Sequence, residues 1–348
     1  MKPTTLAITL GDAAGIGPEI IAKAFRQEPA LMRACFVAGD IQSMRRAALQ
    51  VAKGELALPV LQIDNPQEAL LAPPHCIPVL QIGDALGCVA MGQVDAHAGE
   101  FAGRCVTWAA DAALRGEIAA LVTAPLHKEA LSAAGAPYDS FPGHTELLQA
   151  RAARACGVPV SEMPVRMMLA NEALRTVLVS IHVSLRDALD AVTFGNVLET
   201  LRITRAAFRD VLGREPRIAV AGLNPHAGEG GLFGREEIET ISPAIAAARA
   251  EGADVHGPIA PDTVFMRARH SDDHPGEFDV VVAMYHDQGL IPVKYMGVEQ
   301  GVNVTLGLPL VRTSPDHGTA FDIAGRGIAS AESLVEAVRM AKRLARSD

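Results

Sequence analysis

Three histidines of the chain, His182, His226 and His286, lie at or just after the ends of apolar segments that have the composition of β-strands. Neutral imidazole is a frequent metal ligand, and three imidazoles with one open coordination position make a catalytic metal site. The separations of 44 and 60 residues match no metal-binding motif. For each histidine taken alone, a structural role is the stronger alternative to metal binding. For the three histidines together, a metal site stays an open alternative.

Two further groups of residues have the chemistry to bind an anion. The segment FPGHTELL begins a predicted helix near His144 and Thr145, where a helix N-terminus favours an anion; simple capping by Thr145 is the alternative. A later polar segment carries Lys294, Asn303 and Arg312, whose basic and amide groups suit a phosphate or a carboxylate. Solvated surface side chains would give the same pattern, so both alternatives stay open.

Two glycine-rich segments raise the question of a bound nucleotide. The first, GDAAGIGPEI at 11–20, does not match the dinucleotide fingerprint at a strand–helix junction, and its Pro18 is typical of a helix start. In the second, NPHAGEGGLFGREE at 224–237, glycines allow a close approach to a ligand. The alternative is a plain turn before a helix whose Glu236 and Glu237 offset the helix dipole.

The elements that must position these residues alternate along the chain. Short apolar segments such as LAITL, CFVAGD, RTVLVSIH, PRIAVAGL and DVVVAMYH predict strands, and longer segments with apolar residues three or four apart predict helices. This alternation predicts an α/β architecture with largely parallel strands. Five predicted strands end in polar or glycine-rich segments, which is where open α/β sheets carry functional residues. The pattern favours an enzyme over a structural module.

Composition narrows the functional classes. The 348 residues carry a formal charge of −9 without a block of Lys or Arg, which argues against a nucleic-acid or anionic-membrane partner. No apolar segment reaches the length of a membrane span, and the N-terminal one is too short for a signal peptide. The five cysteines are scattered, as expected for free thiols in a cytoplasmic protein.

Read together, several motifs closely resemble those of the 4-hydroxythreonine-4-phosphate dehydrogenase family of vitamin B6 biosynthesis, which has close relatives acting on 4-phosphorylated sugar acids. They are GDAAGIGPEI, TAPLHKEAL, FPGHTELL, LNPHAGEGGLFGREE, PDTVF, MYHDQGLIPVKY and GVNVTLGLPLVRTSPDHGTAFDIAGRG, in order from about residue 6 to residue 330. More distantly, DHGTAFDIAGRGIA and GIGPEI look like segments of isopropylmalate and isocitrate dehydrogenases.

The resemblance implies a fold and a domain division. The fold is the two-domain, isocitrate/isopropylmalate-dehydrogenase-like α/β fold, with largely parallel sheets, flanking helices and a cleft between the domains. One discontinuous domain, 1–122 plus 303–348, would bind NAD without a Rossmann fingerprint. The other, 123–302, would carry the metal and substrate site and the dimer contacts. The protein is expected to be a homodimer whose active site is shared, with His286 supplied by the partner subunit.

The resemblance also implies roles for individual residues. His182, His226 and His286 match the family's divalent-metal ligands. The substrate-binding residues are His144, Thr145, Lys294, Asn303 and Arg312. The cofactor-binding residues are Asp316, His317, Gly318 and Asp322. The general base stays open among Lys294, a metal-bound hydroxide and Asp287.

The implied activity is an oxidation with decarboxylation of 4-phosphooxy-L-threonine to 3-amino-2-oxopropyl phosphate. It needs NAD or NADP and a divalent metal, for which zinc, magnesium, cobalt and manganese are all candidates. One alternative keeps this chemistry on a 4-phosphorylated threonate or erythronate, or on an aromatic cis-dihydrodiol carboxylate. An alternative of another class is a non-catalytic homologue that binds a metal or ligand.

The chain departs from the family pattern at a few places. Position 13 is Ala13 where the family usually has proline, which removes rigidity from the first turn and keeps its glycines and Asp12. The segments 156–164 and 269–277 are expected to be surface-loop insertions. None of these departures removes a motif residue.

Overall fold

The computed structural model describes residues 4–271, 273–297 and 300–345, which form two compact units. The first unit holds 4–164 and 308–345, and the second holds 165–307. Residues 1–3 and 346–348 of the predicted NAD-binding domain, 298–299 of the predicted metal domain and Asp272 of the predicted 269–277 insertion lie outside the described residues.

The predicted domains were defined by the ligands expected for them, and that assignment stays a prediction. The compact units divide the chain at 164/165 and 307/308, whereas the predicted domains meet at 122/123 and 302/303.

Twelve strands and eleven α-helices occur in the described residues. The strands are β1 (Leu6–Thr9), β2 (Cys35–Gly39), β3 (Val60–Ile63), β4 (Ile77–Gln81), β5 (Ala120–Thr123), β6 (Arg166–Ala170), β7 (Arg175–Leu178), β8 (Ile218–Ala221), β9 (Val255–Ile259), β10 (Val280–Ala283), β11 (Val302–Leu306) and β12 (Arg312–Pro315). The helices are α1 (Gly17–Gln27), α2 (Ile41–Ala52), α3 (Ala96–Leu114), α4 (Lys128–Ala133), α5 (His144–Cys156), α6 (Leu185–Ala191), α7 (Phe194–Leu212), α8 (Ser242–Ala250), α9 (Val264–Ala268), α10 (His286–Tyr295) and α11 (Glu332–Ala345).

Each unit is built on strands that are mostly parallel. In the first unit the strand order is β3-β4-β2-β1-β5-β12, and every neighbouring pair is parallel. In the second unit the order is β11-β6-β7-β10-β8-β9, in which only the pairs that involve β6 are antiparallel. Parallel strands need long crossover connections, which the helices supply. The predicted α/β class with largely parallel sheets and flanking helices is confirmed.

The opening glycine-rich turn joins β1 to α1 in a space too small for side chains. A Cβ on Gly11 would lie 2.4 Å from the Pro125 carbonyl oxygen, and φ of Gly11 is +70°. A Cβ on Gly17 would lie 2.5 Å from the carbonyl oxygen of Leu10. Pro18 stands in the first turn of α1, as its sequence context predicts. The glycines are therefore required by close packing of the backbone.

A buried carboxylate holds the amino end of the second unit's sheet. Asp279 precedes β10 and is 7% exposed. It accepts hydrogen bonds from Arg214 at 2.8 and 2.9 Å and from the backbone N–H of Arg217 at 2.7 Å. Burial alone would raise the pKa of Asp279, but the bonds from the two arginines outweigh it and hold that pKa well below its usual range.

Replacing Asp279 with Asn should lower the free energy of unfolding by about 2–3 kcal/mol at neutral pH, because charge-assisted hydrogen bonds to both arginines are lost. Since folding lowers this pKa, the contribution is complete above the ordinary Asp pKa of 3.8 and is lost as the pH falls further. The difference between wild type and D279N, measured by denaturant unfolding, should therefore shrink in acid.

The matched control is E277Q, which removes an exposed ion pair between Glu277 and Arg267. Its effect should stay within about 0.5 kcal/mol, as for most surface pairs. Equal losses in the two variants, or a D279N loss that does not change with pH, would contradict the assignment.

Candidate metal and anion sites

The three predicted metal ligands follow three neighbouring strands of the second unit. β7, β10 and β8 are parallel neighbours, so their carboxyl ends lie at one edge of the sheet. His182 follows β7, His286 follows β10 and His226 follows β8. The ring centroids of His182 and His286 are 5.6 Å apart. One chain therefore brings these two imidazoles together without a second subunit.

Hydrogen bonds fix the segments that carry these two rings. The N–H of Val179 donates to the carbonyl of Ala283 at 2.9 Å, which extends the pairing beyond the strand ends. The hydroxyl of Ser180 donates to the carbonyl of Met284 at 3.0 Å. The positions of His182 and His286 thus depend on the same ladder of bonds.

Gln288 ties the third strand end to this pair. Its side-chain oxygen accepts from the N–H of Met284 at 2.7 Å, and its amide nitrogen donates to the carbonyl of Gly222 at 2.7 Å. Gly222 directly follows β8. Sequence reasoning did not assign a role to Gln288, although its place in the YHDQG motif marks it.

Asp287 contacts the ring of the histidine before it. Its Oδ1 lies 2.8 Å from Nδ1 of His286, which leaves Nε2 of that ring for another partner. A carboxylate on the remote nitrogen is the usual means of orienting a metal-binding imidazole. In this arrangement Asp287 orients His286, and its predicted role as a general base stays a prediction.

His226 lies on a loop with an uncommon backbone. Five successive residues, 226–230, have φ between 41° and 80°, the left-handed region. Three of them, His226, Ala227 and Glu229, are not glycine, and each such residue costs about 1–2 kcal/mol. The fold must supply interactions that offset this strain.

The donor set fits a divalent metal. Imidazole nitrogens are common ligands of zinc and other divalent transition metals, and the strand order places three of them on adjacent strand ends. Across 4–271, 273–297 and 300–345, no three His, Cys, Asp or Glu side chains are arranged as a ready metal cage. The assignment of His182, His226 and His286 as ligands stays a prediction.

The first unit carries a candidate anion site at the start of α5. His144 is the first residue of this helix, as predicted, and its Nε2 is buried without a hydrogen-bond partner among the described residues. Burial, and then the charges of Arg312 and Lys128, lower the pKa of His144 well below 6.5. A neutral imidazole with an unsatisfied buried nitrogen, at a helix N-terminus, is suited to bond an anionic oxygen.

Arg312 supplies a fixed positive charge close to this ring. It is 4% exposed, and its Nε and Nη2 donate to the hydroxyl of Thr123 at 3.1 and 2.8 Å. Burial lowers the pKa of Arg312 to about 10, so the guanidinium keeps its charge at neutral pH. The strand pair β5–β12 positions this side chain, because Thr123 ends β5 and Arg312 begins β12.

Lys128 is a second cation at this site that the sequence reasoning did not assign. A Cβ on Gly143, which precedes α5, would lie 3.7 Å from Cε of Lys128 and 3.6 Å from Oε2 of Glu146. Lys128 therefore lies across the N-terminus of α5, next to His144. Its place after β5, in TAPLHK, is the sequence signal that marks it. Thr145, the next residue of α5, is half-buried.

The remaining predicted substrate residues belong to the second unit. Lys294 lies in the last turn of α10 and is half-buried. Asn303 lies on β11, paired with Leu169 of β6, and is also half-buried. The five predicted substrate residues are thus divided between the units, and their role stays a prediction.

The predicted cofactor residues lie on the loop between β12 and α11. The N–H of Asp316 donates to the hydroxyl of Ser333 at 3.1 Å, His317 and Gly318 are exposed, and so is Asp322. The opening turn holds this loop, because the N–H of Ile16 donates to the carbonyl of Thr319 at 3.0 Å. The role of these four residues in binding a nucleotide cofactor stays a prediction.

Buried Glu19 anchors the end of the same loop. Its carboxylate accepts from the N–H groups of Gly327 at 3.1 Å and Ala329 at 2.8 Å, and pairs with Lys23 at 3.0 Å. The GPE segment of the opening motif therefore shapes a loop some 300 residues downstream in sequence.

Comparison with known proteins identifies the family. Residues 31–341 match the family model described as pyridoxal phosphate biosynthetic protein PdxA. The chain belongs to the PdxA family. It is 51% identical over 339 residues to a 4-hydroxythreonine-4-phosphate dehydrogenase of Beijerinckia indica subsp. indica, covering 97% of this chain and 94% of the relative.

Two further relatives bear on substrate and fold. A D-threonate 4-phosphate dehydrogenase of Salmonella typhimurium is 45% identical over 349 residues, covering 99% of this chain and all of the relative. The crystal structure of a 4-hydroxythreonine-4-phosphate dehydrogenase from Klebsiella pneumoniae matches with a TM-score of 0.85 and 42% identity, covering 99% of this chain and 98% of that one. The predicted family resemblance is confirmed, and the PdxA-family chain is an oxidoreductase of the dehydrogenase class.

None of the helices in the described part of this PdxA-family chain combines the length and the apolar character that a membrane-spanning helix requires.

Proposed function

We propose that this chain oxidises 4-phosphooxy-L-threonine with NAD, or with NADP, and a divalent metal, and that it does so in vitamin B6 biosynthesis as a cytoplasmic homodimer. The observation that carries the proposal is the arrangement of His182, His226 and His286 on the ends of three adjacent parallel strands, two of them with rings 5.6 Å apart. Membership of the PdxA family and the name of the 51%-identical relative support the substrate.

The anion site at the start of α5 would bind the phosphate of the substrate. Arg312 and Lys128 bring positive charge to the N-terminus of α5, and Nε2 of His144 can donate to a phosphate oxygen. The low pKa of His144 keeps its imidazole neutral between the two cations, which avoids a third repelling charge. Lys294 and Asn303 are proposed as further contacts of the substrate.

The histidines supply the reactive centre. Nε2 of His286, with its Nδ1 held by Asp287, and the rings of His182 and His226 would hold the metal. When bound, zinc, cobalt, manganese or magnesium lowers the pKa of the substrate hydroxyl and orients it. Lys294 and Asp287 are the candidates among the side chains for taking the proton of that hydroxyl.

The products follow from the substrate. Bound NAD or NADP would accept a hydride from C3 once the hydroxyl proton has left, and the substrate would then carry a ketone in the β position to the carboxylate. Such a β-keto acid loses CO2, and the product is 3-amino-2-oxopropyl phosphate. We propose that Asp316, His317, Gly318 and Asp322 contact the nucleotide cofactor.

A second substrate is favoured by one observation. The 45%-identical relative covering 99% of this chain is named for D-threonate 4-phosphate, which differs from 4-phosphooxy-threonine in having a hydroxyl where the other has an amine. The anion site and the three histidines would bind both substrates equally well. The two proposals therefore differ only in what the site offers to the group on C2.

NADH absorbance across a panel of substrates tests the proposal. Turnover should appear with 4-phosphooxy-L-threonine, stop with a chelator and return when a divalent metal is added back. Unphosphorylated 4-hydroxythreonine should have a KM raised at least about 10-fold, because it lacks the group that the cations bind. If D-threonate 4-phosphate is turned over faster than 4-phosphooxy-L-threonine, the second substrate is the correct one and the first proposal is wrong.

H226A should lose this metal-dependent turnover and keep the Tm of the wild type, since its ring is exposed. The control is H256A, which removes an exposed histidine of the same unit that contacts Asp254 and no strand end of the site. Full turnover of H226A in chelator would contradict the metal proposal.

Exposed apolar side chains support the proposed homodimer. They follow the three histidines in sequence, and they are Leu185, Leu189, Leu232, Phe233, Ile291 and Tyr295. Tyr295 is 93% exposed, and with Ile291 it forms a pair four residues apart on α10. Aromatic side chains such as Phe233 and Tyr295 are enriched at subunit interfaces, so we propose these residues as contacts of the homodimer.

Mixing two inactive variants tests whether the site is shared. If His286 comes from the partner subunit, H182A and H286A exchanged into mixed dimers should regain up to about a quarter of wild-type activity, because each mixed dimer then has one complete site. If all three ligands belong to one chain, as the 5.6 Å approach of His182 and His286 allows, the mixture stays inactive.

A further inference from the structure

Glu237 is a buried acid for which the predicted activity has no use. It begins a short π-helical turn, Glu237–Ile241, that leads into α8, and it is 2% exposed. Among the described residues it forms no ion pair. A carboxylate out of water without a cation needs several hydrogen-bond donors to be tolerated.

The donors come from the start of the loop that carries His226. One oxygen of Glu237 accepts from the backbone N–H groups of Leu223 and Asn224, both at 2.7 Å. The other oxygen accepts from the side-chain amide of Asn224 at 3.0 Å. Three donors from two successive residues thus satisfy the carboxylate.

The loop also wraps around this carboxylate. A Cβ on Gly228 would lie 2.7 Å from Oε2 of Glu237, and a Cβ on Gly222 would lie 3.2 Å from Oε1. The carboxylate therefore lies against Gly228, the middle residue of the left-handed turn formed by 226–230. Gly222, which precedes the turn, lies close to the same side chain.

The alternative role of Glu237 is to offset the dipole of the helix that follows, as the sequence allows. A carboxylate in that role lies close to the first N–H groups of its own helix. The side chain of Glu237 is instead buried against residues 222–224 and 228. Its partners belong to the loop.

We propose that Glu237 is a positioning residue of the metal site: its carboxylate holds the left-handed turn that presents His226. The part of this proposal that has His226 bind a metal ion rests on the proposed function. The part that has Glu237 hold the turn does not rest on the proposed function.

E237Q tests the proposal, because glutamine keeps the size of the side chain and replaces one acceptor oxygen with a donor. Cobalt titrated into the metal-free protein should bind about 10- to 100-fold more weakly than to wild type, as for other residues that orient a ligand. Hydrogen exchange of residues 222–231, measured on the metal-free protein, should become faster.

E239Q is the matched control, with the same change two residues later in the same π-helical turn. Glu239 is exposed and pairs with Arg235. E239Q should leave cobalt affinity and loop exchange unchanged. Equal changes in the two variants, or a lower Tm for E237Q with unchanged cobalt affinity and loop exchange, would overturn the proposal in favour of a merely structural role.

A pair of glycine variants keeps the test decisive if E237Q does not fold. G228A and G230A both place alanine at a positive φ, of +80° and +64°. A Cβ at 228 would meet the carboxylate at 2.7 Å and the carbonyl oxygen of Gly234 at 3.0 Å, whereas nothing lies within 4 Å of a Cβ at 230. G228A should weaken cobalt binding more than G230A, and equal binding would overturn the proposal.

The proposal that His226 binds a metal and the proposal that Glu237 positions His226 are refuted by different results. Wild-type cobalt affinity in H226A would refute His226 as a ligand. Faster loop exchange in E237Q would still show that the carboxylate holds the turn, whereas unchanged exchange would refute the positioning role whatever the metal result.

Discussion

The parallel pairing of β7, β10 and β8 is the constraint on which the candidate metal centre depends. His182 and His286 are 104 residues apart in sequence, and only the adjacency of their strands brings their rings to 5.6 Å. The strands themselves are short and almost wholly buried, so their register is fixed by the core. Ser180 and Gln288 then carry that register beyond the strand ends, to the residues proposed to do chemistry.

The two ends of the second unit's sheet have different roles: the amino end contributes stability, and the carboxyl end presents the proposed ligands. At the amino end, the two arginines that bond Asp279 tie the start of β10 to the segment before β8 with charge-assisted bonds. At the carboxyl end, the backbone is strained at 226–230 and a buried acid, Glu237, is required to hold it. Strain concentrated where ligands are presented is the arrangement expected of a preorganised site. The anion site of the other unit follows the same logic, with a buried Arg312 fixed by Thr123 beside an unsatisfied His144.

Much of this could be predicted from the sequence, for identifiable reasons. Buried parallel strands such as Val280–Ala283 are continuous apolar segments, and the helix start at His144 carries its own signal in FPGHTELL. YHDQG and TAPLHK mark Gln288 and Lys128 in the sequence, but the roles of these residues and of Glu237 depend on contacts with residues that no local pattern brings together. Glu237 does lie at a helix start, as the sequence allowed, but its burial against Leu223 and Asn224 replaces the dipole role with a role in the preceding loop. The strand β12 was not predicted from the sequence. It is short, begins with a charged residue and lies in a segment rich in polar residues, so it has no periodic pattern of apolar residues.

The central claim is that three imidazoles from adjacent strand ends hold one metal ion, and X-ray absorption on the zinc-loaded protein tests it most directly. The account predicts a first shell with about three nitrogen ligands at roughly 2.0–2.1 Å and the scattering pattern of imidazole rings, reduced by one ring in H226A. A shell of oxygen ligands alone, or an imidazole count that H226A does not change, would contradict it.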